Sequence, residues 1–348
     1  MMSITFFIFR NPRFTTHFAC FERGKAGFKM KRIITIALFV IAVSGVSFAQ
    51  TNVWGDVSGV WDISGSPYRV IDTIYVRTGD SLIVEHGVEV TFLGHYKLFV
   101  DSLAVLKARG TLNDSIKFMP SDTSFWSPGW HGIRFYYASD ACSLSYCEMA
   151  YGFAYGLCED DSCGGAIWSY CSNPTFEHCL IRDCWANIIG GAIYQYVSYS
   201  MYSNCKIVRN GADSHGGGLY AQSCVGLIAN SIINENNPEG IYMEGRDMGI
   251  SSCQICNNNG DGIFMSGGGD PYNEWTGNYI ASNNGEGIHA HGTGLITNNQ
   301  IINNLEAGIF TYHSADILGN EIQNNGGSGI FIESLSSEDT VANKCNKQ

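Results

Sequence analysis

Positive charge is scarce in this chain, and so is proline: 20 Lys and Arg stand against 32 Asp and Glu, and only 7 prolines occur in 348 residues. Residues 1–49 hold seven of the bases and one acid, Glu22, so the remainder carries 13 bases and 31 acids, a net of −18. A surface of that sign repels nucleic acid and anionic membranes, which excludes both as expected partners. It also disfavours direct contact with polyuronates unless calcium bridges the two. Sustained 3.6-residue apolar patterning is missing, which excludes a helical repeat. A leucine-dominated consensus is missing too. What is abundant is glycine, 41 residues, which suits many tight corners. With 7 Trp, 18 Tyr and 19 Phe, the chain is too aromatic for a disordered stalk.

No apolar run is long enough to span a bilayer comfortably. The run Ile33 to Val43 follows Met30-Lys31-Arg32 and precedes Ser47-Phe48-Ala49. That order of charged, apolar and small residues predicts a signal peptide over 30–49, cut after Ala49. Residues 1–29 then read as an over-extended start. No cysteine follows the cut, so a lipid anchor is not expected. The mature chain is expected to be secreted, periplasmic or on the cell surface, with no membrane insertion after cleavage.

Two registers recur in step. One is a glycine followed by an aliphatic residue: Gly165-Ala166-Ile167, Gly191-Ala192-Ile193, Gly218-Leu219, Gly240-Ile241, Gly262-Ile263, Gly287-Ile288, Gly308-Ile309 and Gly329-Ile330. The aliphatic positions advance by 26, 26, 22, 22, 25, 21 and 21 residues. The other is apolar-x-x-(Asn or Cys)-x-apolar: Leu144/Cys147/Met149, Phe176/Cys179/Ile181, Tyr202/Cys205/Ile207, Leu227/Asn230/Ile232, Ile250/Cys253/Ile255, Trp275/Asn278/Ile280, Ile296/Asn299/Ile301 and Ile317/Asn320/Ile322. Asn343 opens an incomplete copy. A period just above twenty with local alternation is one coil of a solenoid built from two or three short strands. The fold class is therefore all-β: a right-handed single-stranded parallel β-helix, the crossover hand being the default for parallel strands. Residues 50–131, less regular, are expected to form N-terminal capping coils, and 132–348 the regular repeats. By alternation Ile241 and Met243 point inward, and the Asn/Cys column faces the interior as a ladder of amides.

Thirteen cysteines in an exported protein would ordinarily suggest a disulfide framework. Here Cys147, Cys179, Cys205 and Cys253 fall on the inward column and read as buried thiols. Cys158 and Cys163, which flank Glu159-Asp160-Asp161, are the disulfide candidates.

These registers resemble the repeat of the pectin lyase-like superfamily over roughly Gly132 to the end. The segment from Pro67-Tyr68 through Val84-Glu85-His86-Gly87 to Gly129-Trp130-His131-Gly132 is similar to the leader of exported bacterial right-handed β-helix proteins. The resemblance implies a fold and no single activity, since the superfamily spans lyases, hydrolases, esterases, epimerases, adhesins and tailspikes. It implies catalytic sets that this chain does not carry. His289-Ala290-His291-Gly292 is not a Gly-His-Gly, and no Arg-x-Lys is present. Asp160-Asp161 lies off the repeat face. Asp270-Pro271-Tyr272-Asn273 lacks the imidazole and second acid of an epimerase motif.

What remains is an outward stripe: Trp168, Tyr194, Tyr220, Tyr242, Phe264, His289 and Phe310, flanked two residues on by Tyr170, Tyr196, Glu244, His291 and Tyr312. A continuous aromatic band reads either as an interaction surface for sugar rings or as rings packing against one another. The expected function is a non-catalytic exported solenoid binding polysaccharide or a surface protein through that stripe. The alternative is a carbohydrate-active enzyme, lyase or hydrolase, with an unfamiliar site. Glu244 and Glu333, four coils apart, are too distant to act as a glycosidase pair. No cofactor is expected, calcium at Glu159, Asp160 and Asp161 being the one exception. A His/Met copper site around Met243, Met265, His289 and His291 is a third, less favoured reading.

Overall fold

The computed structural model describes residues 50–124, 129–246, 248–267, 274–291, 294–312, 316–333 and, as backbone, 341–345. Residues 1–49, Asp270-Pro271-Tyr272-Asn273 and Gly292 lie outside the described residues. The compact body is Phe48–Gln348.

Almost every element is a short strand, and every strand pairing is parallel to the strand one coil away. One file runs Leu98–Val100, Ile133–Tyr136, Ile167–Tyr170, Ile193–Tyr196, Leu219–Gln222, Ile241–Glu244, Ile263–Ser266, Ile288–Ala290, Ile309–Thr311 and Ile330–Ile332. A second passes through Val105–Arg109, Ser143–Ser145, Thr175–Glu177, Met201–Ser203 and onward. A third passes through Ile116–Pro120, Cys147–Ala150, Leu180–Arg182, Lys206–Val208 and onward. Three files make three walls, and the chain is a right-handed parallel β-solenoid. Ile255, Ile280, Ile301 and Ile322 stand in a single row, each paired with the next. All four are buried.

The walls meet at corners made by one residue in the left-handed region. Between the second and third walls these are Tyr146, His178, Asn204, Asn230, Ser252, Gly277, Asn298 and Gly319. After the third wall they are Tyr151, Asp183, Arg209, Glu235, Asn257, Ser282, Asn303 and Asn324. The corner explains the apolar-x-x-(Asn/Cys) pattern. An inward apolar residue is followed by two outward ones, the second left-handed, and the next side chain turns back into the core.

In one coil the expected register is off by one. Asn230 is not inward; it is the exposed left-handed corner, and Ser231, 1% exposed, takes the interior position between Ile228 and Ile233. Asn tolerates the left-handed conformation better than most residues, so a corner and an inward position compete for the same residue type.

Inside, asparagines pass amide hydrogen bonds from coil to coil in two files. In one, Asn278 Nδ2 donates to Asn299 Oδ1 at 3.0 Å, and Asn299 Nδ2 to Asn320 Oδ1 at 2.9 Å. The other, which the sequence reading missed, joins Asn210, Asn236, Asn258, Asn283, Asn304 and Asn325 at 2.9–3.1 Å. Toward the N-terminal side thiols replace amides: Cys147, Cys179, Cys205 and Cys184 are buried and unbridged. Burial lifts the Cys184 thiol to about 12 and the Cys253 thiol to about 11, so neither is a thiolate at neutral pH.

The expected Cys158–Cys163 bridge is not formed; both are free. A single helical turn, Glu159–Ser162, separates them. It leaves Cys158 exposed at its start and turns Cys163 into an aromatic cluster.

The strands of residues 50–131 belong to the same body. Tyr68 pairs with Val90, and Leu98 pairs with Ile133 of the first regular coil. Trp61 stacks on Tyr68 at 4.4 Å near the N-terminal end.

Candidate functional site

The outward stripe divides into two columns with different fates. The first, Trp168, Tyr194, Tyr220 and Tyr242, is only 1–8% exposed. Its rings stack along the axis, 5.8 Å for Tyr194 on Tyr220, 4.9 Å for Tyr220 on Tyr242 and 4.8 Å for Tyr242 on Phe264. The file continues through His289, Phe310 and Phe331. These rings point away from the solenoid interior but pack against each other. The expectation that they offer a free surface is corrected for Trp168, Tyr194, Tyr220 and Tyr242. The reason is a covering loop. Glu159 of the short helix accepts a hydrogen bond from Tyr194 Oη, and Cys163 sits among the rings. Farther along, Glu244 accepts from Tyr220 Oη, and the His215 ring stacks on Tyr242 at 4.5 Å. Burial raises the Tyr194 and Tyr220 hydroxyls well above the usual phenol range, and the neighbouring carboxylates add to it.

The second column stays partly open. Tyr136 is 40% exposed, and Tyr170 and Tyr196 are half-buried. Tyr136 stacks on Tyr170 at 5.7 Å, and Tyr170 on Tyr196 at 4.9 Å. Beside them an open cleft of about 360 Å³ is lined by Phe99, Tyr136, Glu159, Asp160, Trp168 and Tyr170. Phe99 comes from the strand Leu98–Val100, before the regular repeats, a contribution no repeat pattern marks.

Charge under the covering loop is arranged around Lys97. Its Nζ lies 3.2 Å from Asp160 Oδ2 and 3.0 Å from Asp161 Oδ1. Lys97 thus supplies positive charge to both carboxylates. Below them Arg134 is fully buried and donates from Nη1 to the Gly164 carbonyl at 2.7 Å. Burial lowers its guanidinium to about 9, so it stays charged at neutral pH. His131, pushed down to about 2 by burial and then by Arg134, is neutral there.

A second polar cluster lies five coils on, where the chain enters the Gly-aliphatic strands. His289 Nδ1 is 3.9 Å from Asp261 Oδ2 and 3.7 Å from Glu286 Oε2. On the other edge of the ring, His289 Nε2 is 2.9 Å from His291 Nε2. Asp261 Oδ1 accepts from the Glu286 backbone N–H at 2.7 Å. Burial and the adjoining Glu286 push the Asp261 carboxyl well above the ordinary carboxylate range. The His289 imidazole beside it holds Glu286 low. The sequence reading named His289 and His291 and missed both acids. The signal was present: in three successive coils an acid precedes the repeat glycine, as Glu239-Gly240, Asp261-Gly262 and Glu286-Gly287. Met243 and Met265 are buried in the core, not beside these histidines.

A family model described as right handed beta helix region matches residues 112–245 and 203–346. The chain belongs to the right handed beta helix family. No curated protein matches this family member. Among solved structures, the periplasmic alginate epimerase AlgG is similar with a TM-score of 0.58 at 14% identity, over 84% of each chain. The Geobacillus virus E2 ORF18 protein is similar at 0.47 and 12% identity, over 80% of this chain and 56% of that one. The Azotobacter vinelandii mannuronan C-5 epimerase AlgE4 A-module is similar at 0.40 and 12% identity, over 90% of this chain and 95% of that one. At such identities the likeness to AlgG is one of fold alone. Among the described residues no helix is long and apolar enough to cross a membrane.

Proposed function

We propose that this right handed beta helix protein is exported and binds polysaccharide without transforming it, through the cleft beside Tyr136 and Tyr170. The observation that carries the reading is the open cleft itself: aromatic rings line it, and the Glu159 and Asp160 carboxylates stand beside them. Ring faces pack on the apolar faces of sugars, and carboxylates accept hydrogen bonds from sugar hydroxyls. The fold shared with a periplasmic alginate epimerase supports both export and a carbohydrate setting. The acidic lining favours a neutral or amino-bearing glycan over a polyuronate, in keeping with the net charge.

Screening the purified protein on a glycan array, followed by calorimetry on the retained glycan, tests this. Tyr170→Ala and Tyr136→Ala should each weaken binding by about tenfold, the order expected for one lost ring contact. Tyr279→Ala, on a different wall and 38% exposed, should leave the affinity unchanged. Unaltered affinity in both cleft variants would discard the cleft. Release of reducing ends or unsaturated uronates from the bound glycan would discard the non-catalytic part and leave the binding part standing.

A further inference from the structure

The cluster five coils beyond the cleft, about 24 Å by coil spacing, has no role in that reading. Asp261, Glu286 and His289 each offer one donor atom, and the three atoms lie within 4.8 Å of one another. We propose that these three side chains form a binding site for one divalent transition-metal cation, with a coordination position left open toward solvent.

Charge is the first reason. Asp261 and Glu286 face each other, with Glu239 one coil before and Glu306 one coil after. Among the described residues the only ion-pair partners of Asp261, Glu286 and Glu239 are histidines, His289 for the first two and His215 for the last. Negative charge so stacked is relieved by a cation.

Ring orientation is the second, independent reason. With His289 Nε2 paired to His291, Nδ1 is the ring nitrogen that faces the two carboxylates and is placed to bind an ion between them. Metal-bound histidines are held this way, one nitrogen on the ion and the other fixed by a hydrogen bond. The distances agree. A tetrahedral ion with bonds of about 2.0–2.2 Å spaces its ligands roughly 3.3–3.6 Å apart. The observed 3.7 and 3.9 Å need only slight closure. One imidazole with two carboxylates suits zinc or a neighbouring first-row ion, and the nitrogen donor selects against calcium.

Protein stripped with EDTA and freed of chelator would be titrated with zinc chloride by calorimetry and with cobalt chloride by visible absorption. One equivalent of zinc should bind and raise the melting temperature. The cobalt spectrum should lack thiolate charge-transfer bands. Glu286→Gln and His289→Gln should each weaken zinc binding by about tenfold or more. Both side chains are half-buried at the surface, and circular dichroism identical to the parent confirms folding. Cys158→Ser is the control, because Cys158, Asp160 and Asp161 also bring their donor atoms together; it should leave zinc binding intact. The proposal is overturned if no stoichiometric zinc binds. It is equally overturned if Cys158→Ser alone abolishes binding, or if calcium binds as tightly as zinc.

Discussion

Asn258→Ala should lower stability by about 2–5 kcal/mol, against less than about 0.5 for Asn259→Ala next to it. Asn258 Oδ1 accepts from both the backbone N–H and Nδ2 of Asn236, at 3.0 and 3.1 Å. Its Nδ2 donates to Asn283 Oδ1 and to the Ile233 carbonyl. Alanine leaves the Asn236 N–H buried and unpaired, at about 1–3 kcal/mol for that group, and adds a small void. Asn259 makes only exposed amide contacts, with Asn237 and with Asn284, and water replaces both. Because each coil touches only its neighbours, the loss should be local. Hydrogen exchange should quicken across roughly residues 230–285 and stay unchanged over 133–170. Equal melting curves for the two variants would refute the interior role given to the asparagine file.

Gly191→Ala should be more damaging still, by roughly 3 kcal/mol or more. A Cβ built there meets Gly211 O at 2.3 Å, Gly211 C at 2.4 Å and Gly217 O at 2.4 Å, all backbone atoms. No side chain can swing aside. The next coil must move away, at the cost of the ladder bonds from Gly191 N to Gly216 O and from Ala192 N to Gly217 O. Gly165, one coil earlier, meets Gly191 O in the same manner. Gly79→Ala is the matched comparison. Gly79 has φ +83 and nothing within 4 Å, so alanine there brings only backbone strain of about 1–2 kcal/mol. A thermal melt of both variants checks the order. Gly191→Ala melting no lower than Gly79→Ala would mean that the coils are not packed flush at this corner.

The solenoid was legible in the sequence because its stabilising contacts repeat. Ile255, Ile280, Ile301 and Ile322 announce their shared row by spacing alone. Misreadings arose where one residue type serves two purposes. Asn230 was assigned to the interior, yet a left-handed corner also favours asparagine. The Asn210–Asn325 file went unnoticed because the same corner pattern occurs twice per coil, as in Ile181/Cys184 and Ile207/Asn210. The exposure of the aromatic stripe was not legible. Burial of Tyr194 depends on Glu159, 35 residues earlier in a non-repeating loop, and periodicity carries no record of such a cover. The Asp261, Glu286 and His289 grouping was half legible, since alternation marks the outward histidine but not the acid that precedes each glycine.

The coil-by-coil pairing also sets how this protein would yield to force. Pulled from its C-terminal end, it should not give way all at once. The terminal turn sheds its hydrogen bonds to one neighbour and peels, exposing an almost identical edge beneath. Successive ruptures would each free 21–26 residues, the spacing of the repeat, or about 70–90 Å of extended chain. The later, amide-lined turns would resist in nearly equal steps, and the thiol-lined turns nearer the N-terminus would follow at a different tension.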